Sequence, residues 1–89
     1  MRTPKSLGEE TRAWRLFVTT PCTPETREMI ARAFLEDEGD IPAEVVHSFC
    51  MTALDSADAD AVDELVANLR AEHFGRLGQP VPEYRVKYR

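Results

Sequence analysis

Hydrophobic and polar positions recur along this chain with two different periods. Between Pro24 and Glu38, Thr26, Met29, Ile30, Ala33 and Phe34 fall at i, i+3, i+4, i+7 and i+8, the spacing that gathers one apolar stripe on a helix. Thr23 followed by Pro24 opens that helix well, because threonine caps and proline has no N–H to leave unsatisfied in the first turn. Glu25 and Glu28 suit the positive end of the helix dipole, and Gly39 supplies the left-handed residue that closes it. A second helix begins after Asp55 or Ser56. Its stripe is Val62, Leu65, Val66, Leu69 and His73 or Phe74, and Gly75 and Gly78 end it.

Three further segments read as strands. Ala13–Thr20 is rich in aromatic and β-branched residues and stops at Pro21-Cys22-Thr23-Pro24. Glu44–Leu54 has no internal glycine, asparagine or proline; alternation places Val45, His47, Phe49, Met51 and Ala53 on a drier face and Val46, Ser48, Cys50, Thr52 and Leu54 on the other. Glu83–Arg89 alternates strictly, Tyr84, Val86 and Tyr88 against Arg85, Lys87 and Arg89. The order strand, helix, strand, helix, strand predicts an α+β fold. It is a two-layer α/β sandwich, either ferredoxin-like with one strand missing or short, or a reduced β-α-β-α-β plan, with both helices on one face of the sheet. Residues 1–12 lack an apolar period and form a mobile N-terminal arm; residues 13–89 form a single domain.

That plan leaves a problem. A wholly parallel sheet is normally covered on both faces, yet here one face would show Arg15, Phe17, Ser48, Cys50, Thr52, Arg85, Lys87 and Arg89. Either the stretch 40–54 divides into two strands, or the arm supplies an edge, or association covers the open face. Association, with a second copy or a different protein, is the expectation.

Composition changes the picture only in part. The 89 residues, 43% hydrophobic and 30% charged, suit one globular domain rather than a disordered chain. No apolar run approaches the roughly 20 residues that span a bilayer, and the basic start has no apolar core of a secretory signal, so a cytoplasmic location is expected. Charge is segregated within a net −5: residues 1–35 carry +2, residues 36–72 carry −10 with Arg70 the only cation, and residues 73–89 carry +3. An acidic middle keeps a small protein soluble, and it also steers encounters with a charged partner.

The chemistry on offer is sparse. Cys22, between a strand end and a helix start, stands where N–H groups and the dipole stabilise a thiolate, as in thioredoxin-like enzymes; but no second cysteine lies within three residues, and an ordinary loop thiol is the simpler reading. His47 and Cys50, three apart on a strand, face opposite ways and cannot share a metal; no metal site and no cofactor are expected. Asp55, Asp58, Asp60, Asp63 and Glu64 lack the glycine and final glutamate of a calcium loop. Helix capping explains most of them, and an acidic docking patch is the functional reading. Arg15, Arg85, Lys87 and Arg89 would form a basic row on the open sheet face, with Phe17 among them, but a single aromatic and an acidic total disfavour nucleic acid.

The closing Pro-Glu-Tyr-Arg-Val-Lys-Tyr and the helix before it resemble the small non-catalytic subunit of the bacterial formylglycinamidine ribonucleotide amidotransferase over roughly the last 30 residues. That family's patterned basic strand is absent, so no membership follows. The expectation is a non-enzymatic binding or regulatory module that docks onto a partner protein or onto itself, without membrane association. One concrete form is a small phage or mobile-element inhibitor that masks a basic nucleic-acid-binding protein. The alternatives are a small dimeric enzyme with a site near Cys22 and a small-ligand sensor domain.

Overall fold

In the computed structural model, which describes residues 11–52 and 56–83, those residues form helices and the connections between them. Four helices follow one another: α1 (Arg12–Thr19), α2 (Pro24–Glu38), α3 (Ala43–Met51) and α4 (Ser56–Leu77). Among the described residues there is no strand. The α/β sandwich, ferredoxin-like or reduced, is therefore overturned.

α2 begins and ends where the sequence places it. Thr26 Oγ1 accepts the N–H of Thr23 at 2.9 Å, Pro24 occupies the first turn, and Gly39 closes the helix at φ 87°. Its buried face keeps Ile30, Ala33 and Phe34 of the expected stripe, leaves Thr26 half-buried and adds Arg27, Ala31 and Leu35. Met29, expected in the stripe, is 46% exposed. α4 runs through Gly75 and stops at Gly78 (φ 70°). There the N–H of Gln79 donates to the carbonyl of Phe74 (3.0 Å) and that of Gly78 to Gly75 (3.1 Å), the paired bonds of a Schellman close.

Two expected strands are helices. In α1 the helical turn brings Trp14 and Phe17 together at 5.9 Å, and both rings meet Phe34 of α2, at 4.9 and 6.0 Å. Ala13 is fully buried beside them. The N-terminus of α1 is capped twice: Thr11 Oγ1 accepts from the Trp14 N–H (3.3 Å) and Asp37 Oδ2 from the Ala13 N–H (3.0 Å). Arg12 donates to Asp37 and Glu36, and the hydrogen bond to Asp37 leads the contacts that raise its pKa above the ordinary value. In α3 the buried residues are Val45, Val46, Phe49 and Cys50, a helical i, i+1, i+4, i+5 set rather than an alternating one. Burying that set favours the helix over the strand preference of its valines, because tertiary packing decides between them. The third expected strand, 83–89, lies outside the described residues except for Glu83, as does residues 1–10 of the arm; Arg12 belongs to α1.

α2 packs on α1 and on α4, and α4 packs on α3. Phe17 touches Phe49 at 6.1 Å, which joins α1 to α3 and closes the ring of helices. Ile30, Phe34, Ile41, Val45, Val46, Phe49, Val62 and Val66 fill the centre with essentially no exposure. Among the described residues there is no sheet and so no open sheet face, and the argument that association must cover one falls with it.

Candidate functional site

The acidic residues gather on α4. Asp58, Asp60, Asp63 and Glu64 are all exposed, opposite a buried line of Val62, Val66, Leu69 and Phe74. At 3.6 residues per turn, Asp60 and Glu64 stack one turn apart on the outer face with Asp63 on their flank, while Asp58 lies on the other side of the helix start. Asp55 lies outside the described residues. The only cation of the stretch 36–72, Arg70, does not reach this face. It is 4% exposed, and its Nε and Nη2 donate to Asp40 Oδ1 (2.8 Å) and Oδ2 (3.0 Å). Glu72, further along, meets Arg32 of α2 at 3.7 Å. The outer face around Asp60 and Glu64 therefore carries like charges over a little more than one turn.

The remaining expected residues are not brought together. Arg15 is exposed on α1, whereas Phe17 is half-buried with its ring spent on Trp14, Phe34 and Phe49. Two residues apart on a helix they point to different sides, so the basic row of Arg15, Arg85, Lys87 and Arg89, with Phe17 among them, is not formed by its described members. Arg85, Lys87 and Arg89 themselves lie outside the described residues.

Cys22 is half-buried in the α1–α2 connection, with Sγ 3.7 Å from Thr52 Oγ1 at the end of α3. Thr52 Oγ1 also accepts from Arg27 Nη2 at 3.3 Å and donates to the Phe49 carbonyl at 2.7 Å. Neither histidine takes part: His47 lies on α3 and His73 on α4, edge-on to Phe74 at 5.1 Å. On a helix His47 and Cys50 share a side rather than facing apart, a correction to the strand reading. Cys50 is nevertheless buried, with Sγ 3.9 Å from the Ala59 carbonyl. Among the described residues no group of three histidines, cysteines or carboxylates has the arrangement of a metal site.

An open groove of about 690 Å³ runs between α1 and α2, with Leu16, Met29 and Ala33 on its floor and Arg12, Arg32, Glu25, Glu28 and Glu36 on its rim. It carries no cysteine or histidine. Sequence reasoning passed over both Arg27 and this groove. The signal for Arg27 was present, since a position three before Ile30 and seven before Phe34 lies on the buried stripe. No helix of the described residues is long and apolar enough to cross a membrane. Comparison with protein families, curated proteins and solved structures finds no match.

Proposed function

We propose that this chain is a non-enzymatic docking module that presents the outer face of α4 to a basic surface on a partner protein. The observation that carries the reading is the exposure of Asp60, Asp63 and Glu64 on one side of α4 while Arg70, the one Lys or Arg of residues 36–72, is turned inward onto Asp40. A face of one sign raises encounter rates with the opposite sign and repels its own kind. A different, basic protein therefore fits it better than a second copy. Docking through a sheet face, the earlier route to the same function, has no basis in a helical fold.

The test compares wild type with a variant carrying Asp60→Lys, Asp63→Lys and Glu64→Lys as tagged baits in nuclease-treated host lysate. One protein recovered near stoichiometry by wild type, released as salt rises and lost by the variant, is the expected result. Equal recovery by both baits, or recovery unaffected by salt, refutes the assignment of this face. The variant's helical content and melting temperature are measured alongside, so that lost recovery is scored on folded protein only.

A further inference from the structure

Arg27 stands in the second turn of α2 and is 8% exposed. Arginine stays charged at every physiological pH, and a buried charge is costly unless paired. Yet none of the ion pairs among the described residues includes Arg27. Its Nη2 makes a long bond to Thr52 Oγ1, 3.3 Å, and its Nε is enclosed without an acceptor. Arg70 makes the contrast. It is equally buried, but Asp40 takes the corresponding Nε and Nη2 in a two-pronged pair. Among the described residues, the same edge of the Arg27 guanidinium meets a neutral hydroxyl and no carboxylate.

Two neighbours fit that edge to an anion. Arg27 lies near the N-terminus of α2, where the helix dipole favours negative charge. Thr52, exposed at the end of α3, and the half-buried Cys22 bring a hydroxyl and a thiol to the same place and connect it to the surface.

The geometry points to a binding site for a small oxyanion between the start of α2 and the end of α3. Arg27 Nε and Nη2 hold two of its oxygens, the side-on geometry in which guanidinium takes carboxylate or phosphate. The Thr52 hydroxyl that now meets Nη2 gives way to the anion. The ligand is a free oxyanion or a phosphoryl group at the end of a larger molecule. This inference is independent of the docking face on α4.

Inorganic phosphate, titrated against chloride at constant ionic strength, tests it on the full chain. In ¹⁵N-edited spectra of wild type, the Arg27 Nε–H signal should shift saturably and exchange more slowly with water, while the Arg15 signal, from an exposed side chain, follows ionic strength alone. The melting temperature should rise saturably with phosphate. In Arg27→Lys, which keeps the charge but loses the fork, the apparent affinity should fall at least tenfold. Phenyl phosphate separates the two sources: binding of both compounds indicates a phosphoryl group on a larger ligand, and binding of phosphate alone a free ion. An Arg27 Nε–H that ignores phosphate overturns the site. So does an equal rise in melting temperature for wild type and Arg27→Lys, because that is the general stabilisation of an excluded salt. The spectroscopic arm needs only wild-type protein and decides the matter even if the variant does not fold.

Discussion

Replacing Asp40 with alanine removes one carboxylate that serves three donors: Arg70 Nε at 2.8 Å, Arg70 Nη2 at 3.0 Å and the Ile41 N–H at 2.7 Å. The guanidinium left behind is 4% exposed. Among the contacts it keeps are the Pro82 carbonyl at 3.0 Å and the face of Phe74 at 5.7 Å, both neutral. Removing one partner of a buried pair costs roughly 3–5 kcal/mol. The Asp40 side chain is 35% exposed, so water relieves part of the loss and the low end applies, about 3 kcal/mol. A chain of this size holds about 4–13 kcal/mol in all, and each kcal/mol moves the melting temperature by about 4–8 °C. Asp40→Ala should therefore melt roughly 12–24 °C below wild type. Urea unfolding followed by far-ultraviolet circular dichroism measures it, in wild type, Asp40→Ala, Arg70→Met and the double variant. Once Arg70 is methionine the carboxylate has no charge to neutralise, so the double variant should recover about 2 kcal/mol relative to additivity. A loss below about 0.5 kcal/mol in Asp40→Ala, the level of a surface pair, or strict additivity in the cycle, would refute the claim that this pair sustains the burial of Arg70.

Two glycines at the C-terminal end of α4, Gly75 inside the helix and Gly78 just past it, should respond in opposite directions. Gly75 lies within the helix with open space around a Cβ, so Gly75→Ala should add about 0.5–1 kcal/mol; Gly78 has equal space but φ 70°, so Gly78→Ala should cost about 1–2 kcal/mol, both read from urea midpoints. Phe34 is fully buried against Trp14 and Phe17, and Phe34→Ala should cost about 3–5 kcal/mol, enough to leave the variant partly unfolded at 37 °C by circular dichroism.

Where the chain punctuates itself, the fold is legible. Thr23-Pro24 and Gly39 bracket α2 to the residue, because a cap, a proline without an N–H and a left-handed glycine act locally and do not wait for tertiary contacts. α1 and α3 were misread for a shared reason. Their residues are aromatic and β-branched, and such composition favours strands only through the surface it packs against. The competing signal lies in the sequence itself. Val45, Val46, Phe49 and Cys50 group on a helix, whereas alternation asks Met51 to be dry and Val46 wet. The structure reverses both, with Met51 64% exposed and Val46 fully buried. Short apolar runs leave the period ambiguous, and only the rest of the core settles which face is wanted.

The candidate sites divide along the same line. The acidic face of α4 was visible as composition, since exposed charges on a helix follow from the polar side of its stripe. Arg27 and Arg70 were visible only as register. Arg27 lies three before Ile30, and Arg70 lies four after Val66 and four before Phe74, so both occupy inward positions where an apolar residue is expected. Register marks them as buried cations but says nothing of what neutralises them. That depends on residues distant in sequence: Asp40, 30 positions from Arg70, reaches it through the α2–α3 turn. Thr52, 25 positions from Arg27, brings a hydroxyl and no charge. An inward arginine met by a carboxylate is an internal clasp of the fold. One met by a neutral hydroxyl retains a demand for an anion, and that difference in three-dimensional partner, absent from either local sequence, separates a structural pair from a binding site.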